Sequence, residues 1–131
     1  RLFADTRSVE QDYFARTGIF PIMHMLAIRR DMAAEHPWLA RAVFDAYVAA
    51  RDHAYETMVR WNCAVDMLPW YAAEVEETQA LMGRNFYPYG LEANRKTIEK
   101  LFRYSHEQGL ASRTLTLDEV FLAERLGFEE S

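Results

Sequence analysis

The chain has 131 residues, of which 50% are hydrophobic, 27% are charged and 14% are aromatic, and this composition excludes an intrinsically disordered protein. Its formal net charge is −5 with acidic and basic residues interspersed, which argues against nucleic-acid binding because that function needs a concentrated basic face. The longest apolar run, of about ten residues, is too short to cross a bilayer, and the single cysteine, Cys63, excludes an intrachain disulfide or a cysteine-based zinc site.

The N-terminal part of the chain predicts a helix followed by a buried strand. Asp5 or Thr6 can cap a helix that runs to about Arg16, and Gly18 ends it because glycine is common just past a helix end. Over residues 19–28, apolar side chains occupy both alternating faces, which is typical of a strand inside a sheet that is covered on both sides. One strand cannot pair its own backbone groups, so we expect these residues to pair with a strand from another segment or chain.

The rest of the chain predicts helices separated by short connections. Apolar residues at steps of three and four indicate amphipathic helices, whose boundaries follow from capping residues, proline and glycine. The predicted segments are a short turn over 32–35 capped by Asp31, a long helix over 37–60, a helix capped by Asp66 that runs to about Met82, a helix over 92–108, and a short last helix behind a capping box of Thr116 and Glu119. Residues 62–66 are a connection, residues 84–91 form an aromatic-rich loop, and residues 129–131 are a fraying tail.

Several segments of the chain resemble one protein family. They are RLFADTRSVEQDYF, GIFPIMHMLAIRRD, EHPWLARAVFDAY, MLPW, LMG, YPYGLEANRKTIE and FRYSHEQGL. Together they resemble the C-terminal part of 4,5-dihydroxyphthalate decarboxylases and their relatives with the type II periplasmic-binding-protein fold. The resemblance covers essentially the whole chain, and YPYGLEANRKTIE and RYSHEQGL are its most specific parts.

The resemblance implies an α/β fold of the type II periplasmic-binding-protein class. In that fold the chain is a mostly helical C-terminal portion of a two-lobed protein, with one main buried strand and no internal domain boundary over residues 1–131. The ligand lies between the lobes of such proteins, so this chain would hold only part of the site. The implied partners are a small aromatic dicarboxylate, without nucleic acid or membrane, and either further copies of the chain or the N-terminal portion.

The resemblance also implies decarboxylation of a dihydroxylated aromatic dicarboxylate, of the type that converts 4,5-dihydroxyphthalate to protocatechuate, with no cofactor and no metal. Two alternatives remain open at this point. The same cleft could serve a solute-binding protein of a transporter for an anionic or aromatic compound, or the chain could be an inactive helical fragment. We expect a cytoplasmic location, or a periplasmic one if the N-terminus of the protein carries a signal peptide.

The chemistry of this reaction selects the candidate site residues. Decarboxylation of such a ring needs a proton donor for the ring carbon, a partner for the phenol and a cationic clamp for the retained carboxylate. His24 is the candidate for proton transfer, because an unpaired imidazole is costly among apolar residues, and its alternative role is that of a hydrogen-bonded core histidine. Arg7 and Arg16 are candidate carboxylate ligands, with solvated surface charge as the alternative, and Tyr89 is a candidate for stacking on the substrate ring, with covering of the core as the alternative.

Overall fold

A computed structural model of the chain describes residues 2–60, 67–121 and 128. The described residues form six helices, α1 (Thr6–Thr17), α2 (Arg30–Glu35), α3 (Leu39–Met58), α4 (Tyr71–Met82), α5 (Leu91–Glu107) and α6 (Leu117–Val120). They divide into two compact units, of which the first contains the described residues up to Ala27 and those from Gly90 to the end of α6, and the second contains Ile28–Tyr89. The sequence-based expectation of one segment without an internal domain boundary stays a prediction.

Helix α1 begins and ends where the sequence predicts. The Asp5 side chain accepts a hydrogen bond from the backbone N–H of Ser8 at 3.1 Å, which satisfies one of the free donors of the first turn. At the other end Gly18 has a φ of 65°, and its N–H donates to the carbonyl of Phe14 at 2.7 Å. This left-handed conformation carries no steric penalty for glycine. Both predicted boundaries of α1 are therefore confirmed.

Residues 18–29 form neither a helix nor a strand, so the predicted buried strand is wrong. Ile19 is buried, but the side chains of Met23, Met25 and Leu26 are more than half exposed. Alternating apolar residues favour a strand only where a neighbouring strand accepts the backbone hydrogen bonds, and Pro21 has no N–H to contribute to such a ladder. The described residues contain no sheet.

This finding also corrects the predicted fold class. The described residues are mostly helical, at 62%, and only 1% of them are in strand. An α/β fold of the type II periplasmic-binding-protein class, with one main buried strand, is therefore not supported. The apolar pattern of residues 19–28 is typical of a strand buried on both faces, whereas in the structure most of that segment faces solvent.

The first unit is built around the apolar face of α5. Leu91, Ile98 and Phe102 are spaced seven and four residues apart, so they lie on one side of the helix, and all three are buried. Leu117 of α6 joins them to form a hydrophobic cluster. Three partly buried hydrophobic residues pack against this cluster, namely Ile22, Leu115 and Phe121. The contact through Ile22 shows that the irregular segment packs against this core.

The C-terminal end of α1 is held by α5. The ammonium group of Lys96 donates a hydrogen bond to the carbonyl of Thr17, where a cation also interacts favourably with the helix dipole. The Thr17 hydroxyl donates to the carbonyl of Tyr13 at 2.7 Å and accepts from the N–H of Ile19 at 3.1 Å. These contacts fix the direction in which the chain leaves α1.

The second unit has a thin hydrophobic core. Its buried hydrophobic residues among those the structure describes are Ala33, Ala40 and Val75, which have small side chains. Helix α3 begins at Leu39, two residues after the predicted start at Pro37, and α4 begins only at Tyr71. The described residues of this unit therefore gain little from full apolar burial, because the free energy gained scales with the apolar area removed from water.

Several smaller predictions also have outcomes. The predicted turn over 32–35 belongs to helix α2, but the predicted cap is wrong, because Arg29 rather than Asp31 is the N-cap. Asp31 lies in the first turn of the helix, where its side chain accepts a hydrogen bond from the N–H of Met32 at 3.0 Å. The connection at 62–66, which includes Cys63 and Asp66, and the tail at 129–131 lie outside the described residues. No helix in the described ranges combines the length and the apolarity that a membrane span requires.

The capping box before α6 is confirmed. Glu119 accepts a hydrogen bond from the backbone N–H of Thr116 at 2.8 Å, and its other carboxylate oxygen lies 2.6 Å from Nη2 of Arg113. The hydrogen bond from Arg113, followed by those from Thr116, lowers the pKa of Glu119 to about 2. The same contact raises the pKa of Arg113. An ion pair and a capping box thus stabilise the start of the short helix α6, in addition to the intrinsic helix propensity of its residues.

We predict that the interaction of Glu119 is lost only in strong acid. A carboxyl group with a lowered pKa contributes stability above its unfolded pKa and loses it as the pH falls through the folded value. The Glu119 contribution should therefore be complete above its ordinary pKa of 4.5 and disappear toward pH 2. An NMR titration of the Glu119 carboxyl should show this midpoint, and the Arg113→Gln variant should move it toward 4.5. The control Asp118→Asn removes a carboxylate from the same turn and should leave the midpoint low.

The core of the first unit gives a second prediction. Phe102→Ala should lower the free energy of unfolding by about 3 kcal/mol, because it removes a buried ring from the face of α5. The matched control is Leu101→Ala, next to it on the same helix and 51% exposed, which should change stability by less than about 0.5 kcal/mol. Urea unfolding followed by circular dichroism measures both. Equal losses in the two variants would contradict the assignment of this face as the core.

Candidate functional site

His24 lies on the irregular segment 18–29 with its side chain exposed. Within the described part of the chain its imidazole has no hydrogen-bond or ion-pair partner. The side chain is therefore not a hydrogen-bonded core histidine in this structure, and both ring nitrogens can reach a molecule in solvent. An imidazole in such a position can make direct contact with a bound molecule, as a general acid or base must do.

Arg7 and Arg16 lie at opposite ends of α1. Arg7 lines an open concavity of about 640 Å³ together with the preceding residues 2–6. Arg16 forms an ion pair with Asp12 at 3.0 Å, in which both side chains are more than 60% exposed. An exposed pair of this kind contributes little to stability, so a carboxylate ligand could replace Asp12 at small cost. Both arginines therefore lie on open surfaces of the first unit.

The predicted site residues do not form one cluster within the first unit. His24, Arg7 and Arg16 all belong to this unit, but no hydrogen bond or ion pair joins His24 to either arginine among the described residues. The fourth candidate, Tyr89, belongs to the second unit. The roles of these four residues stay predictions.

Tyr89 lies beside an arginine that the sequence analysis did not single out. The Arg51 side chain on α3 is only 8% exposed, and its Cζ atom lies 5.0 Å from the centre of the Tyr89 ring. The same atom lies 5.6 Å from the ring centre of Tyr55. A guanidinium over aromatic faces at these distances forms favourable cation–π contacts. The spacing of Tyr47, Arg51 and Tyr55 at four-residue steps was the signal that could have revealed this cluster.

Arg51 is also bound through its hydrogen bonds. Its Nη2 atom donates to the Asp52 carboxylate at 2.7 Å and its Nε atom donates to the same oxygen at 3.1 Å. Its Nη1 atom donates to the backbone carbonyl of Tyr87 at 3.2 Å. The N–H of Tyr87 in turn donates to the hydroxyl of Tyr55 at 2.8 Å. Side chains of α3 therefore bind both backbone polar groups of Tyr87.

We call residues 84–89 the aromatic loop. Its aromatic rings contact one another and the tyrosines of α3. Phe86 contacts Tyr55 with ring centres 4.7 Å apart and Tyr87 with ring centres 5.1 Å apart. Tyr89 contacts the edge of Tyr47 at 6.5 Å. The Tyr47 and Tyr87 side chains are 49% and 44% exposed, so they present aromatic surface and hydroxyl groups to solvent.

The chemistry available at this surface is the recognition of an aromatic, polar ligand. Tyrosine rings can stack on the ring of an aromatic ligand, and their hydroxyl groups can donate hydrogen bonds to carboxylate or phenol oxygens. The described residues include no group of His, Cys, Asp and Glu side chains that could hold a metal ion.

Comparison with known proteins gives one informative match. No protein-family profile matches the chain. The 4,5-dihydroxyphthalate decarboxylase of Comamonas testosteroni is 30% identical to it over 120 residues, which cover 92% of this chain and 36% of that protein. The chain thus spans about a third of the length of the curated relative that it matches. The resemblance seen in the sequence motifs is therefore supported as a distant and partial relationship.

The contact between α3 and the aromatic loop yields a prediction about stability. Tyr55→Phe should lower the free energy of unfolding by about 1 kcal/mol, because the Tyr87 N–H loses its acceptor. Tyr47→Phe is the matched control, since Tyr47 lies on the same helix and contacts Tyr89 through its ring. It should cost less than about 0.5 kcal/mol. Urea denaturation of both variants decides the matter, and a larger loss for Tyr47→Phe would contradict the prediction.

Proposed function

We propose that the chain forms part of a decarboxylase that acts on a dihydroxylated aromatic dicarboxylate of the 4,5-dihydroxyphthalate type. The observation that carries this proposal is the 30% identity over 120 residues to the 4,5-dihydroxyphthalate decarboxylase of Comamonas testosteroni. The product would be carbon dioxide and a dihydroxybenzoate of the protocatechuate type. Because the chain spans 36% of that relative, we also propose that further polypeptide completes the site.

The reaction itself sets the roles that protein groups must fill. A base or hydrogen-bond acceptor at the phenol increases the electron density of the ring, and an acid then delivers a proton to the carbon that bears the departing carboxylate. The carbon–carbon bond breaks, carbon dioxide leaves, and the bonding electron pair restores the aromatic ring. Each proton transfer of this kind contributes about 10²- to 10⁴-fold to the rate when the group is well placed.

The proposed roles follow from the chemistry of the candidate residues. His24 supplies the proton to the ring carbon, because its exposed imidazole can reach a bound substrate. Arg7 or Arg16 binds the carboxylate that the substrate retains, since a guanidinium can form two parallel hydrogen bonds to it. Tyr89 stacks on the substrate ring. No cofactor takes part in the proposed reaction.

The test of this proposal is the substitution His24→Asn in the protein produced from its complete coding sequence. Carbon dioxide release from 4,5-dihydroxyphthalate should fall by about 10²-fold or more, while the melting temperature and the affinity for the substrate stay close to those of the wild type. The matched control is His53→Asn, which alters another exposed histidine, on α3, and should leave turnover unchanged.

Carbon dioxide release, melting temperature and substrate affinity, measured on the same samples, separate the alternatives. Unchanged turnover in a folded His24→Asn variant would remove His24 from the mechanism. A wild-type protein that binds 4,5-dihydroxyphthalate without consuming it would be a solute-binding protein rather than an enzyme. A wild-type protein that neither binds nor consumes this compound would overturn the proposed function.

A further inference from the structure

We propose that Arg51 is a positioning residue, which holds the aromatic loop so that the ring of Tyr89 is presented to the aromatic substrate. This inference rests on the proposed function, because it assumes that Tyr89 contacts the substrate. It goes beyond that function in assigning the orientation of Tyr89 to a group on α3 that does not itself touch the substrate. The arrangement of hydrogen bonds, charges and ring faces around Arg51 carries the argument.

The backbone of the aromatic loop is bound to α3 at one residue from two sides. Nη1 of Arg51 donates to the carbonyl of Tyr87, and the hydroxyl of Tyr55 accepts from the N–H of the same residue. Loop residues without regular structure gain a defined conformation when their polar groups bind a rigid element. Because Arg51 and Tyr55 are one helical turn apart, the helix sets the distance between the two contacts.

The charge of Arg51 is balanced within the protein. A guanidinium that is 8% exposed loses most of its hydration, so it needs a nearby anion and hydrogen-bond acceptors. Asp52 supplies the anion, with its Oδ1 atom 2.7 Å from Nη2 of Arg51. The ion pair has no net charge to attract a substrate carboxylate, and the Arg51 side chain is largely covered, whereas the side chain of the proposed clamp residue Arg16 is 63% exposed.

The flat guanidinium also fixes the direction of the Tyr89 ring. Its Cζ atom lies 5.0 Å from the ring centre of Tyr89 and 5.6 Å from that of Tyr55, so two rings face one planar group. Tyr47 then limits the ring of Tyr89 from another direction through an edge contact at 6.5 Å. A lysine at position 51 would keep the charge, but it would lose the planar surface and the forked donors.

Arg41 provides a matched control on the same helix. It forms an ion pair with Asp45 at 2.8 Å, and its Cζ atom lies 5.5 Å from the ring centre of Phe44. These partners belong to α3 itself, and the Arg41 side chain is 49% exposed. Substituting Arg41 therefore removes an arginine, an ion pair and a cation–π contact from the same helix without altering the hydrogen bonds to Tyr87.

The experiment compares Arg51→Met, Arg51→Lys and Arg41→Met in the protein produced from its complete coding sequence. Amide hydrogen exchange at Tyr87 should become about tenfold faster in both Arg51 variants and stay unchanged in Arg41→Met. The KM for 4,5-dihydroxyphthalate should rise about five- to tenfold in the Arg51 variants, because an unoriented ring loses its stacking contact. The value of kcat should stay within about twofold, since Arg51 does not take part in the chemical step.

The alternative results are distinct. Unchanged exchange at Tyr87 would overturn the proposal, as would faster exchange without any rise in KM, and so would a fall in kcat at constant KM. Should Arg51→Met fail to fold, Arg51→Lys, which keeps the charge beside Asp52, decides between the same results. A wild-type protein that neither binds nor consumes 4,5-dihydroxyphthalate would overturn the proposed function. Faster amide exchange at Tyr87 in the Arg51 variants would in that case still show that Arg51 holds the aromatic loop.

Discussion

The first unit depends on the burial of one face of α5. Leu91, Ile98 and Phe102 form that face, and the remaining parts of the unit are attached to the same helix by Leu117 from α6 and by the Lys96 contact to the end of α1. A single amphipathic helix with a well-separated apolar side can organise several short segments in this way, because each gains stability by covering part of it. The segment that carries His24 touches this core through Ile22 and is exposed beyond it.

The second unit follows a different physical principle. Its buried hydrophobic residues in the described ranges are small, and several polar and aromatic contacts surround the guanidinium of Arg51. That group combines an ion pair, a hydrogen bond to a carbonyl and two aromatic faces, each of which is directional. Directional contacts specify geometry more strictly than apolar burial does, and geometry is what recognition of a flat, charged ring requires.

The sequence predicted the features that depend on neighbouring residues. The Asp5 cap, the left-handed Gly18 and the capping box of Thr116 with Glu119 are each determined within a few positions, and all are present. The buried strand was wrong because a strand depends on partners that its own residues do not encode. Arg51 was missed for a similar reason, since its contact to Tyr87 spans 36 positions. The solvent exposure of His24 likewise follows from what surrounds its segment rather than from its pattern.

The positions of Tyr47, Arg51 and Tyr55 along α3 have a consequence for how this part of the chain tolerates insertions. The three residues share one stripe only because they are four positions apart, and each added residue turns the rest of the helix by about 100°. A single insertion between Tyr47 and Tyr55 would direct one of the three away from the aromatic loop. The same insertion in the turn before Leu39 would leave their spacing intact. Between Tyr47 and Tyr55 the helix should therefore tolerate substitutions at its exposed positions much better than it tolerates an inserted residue.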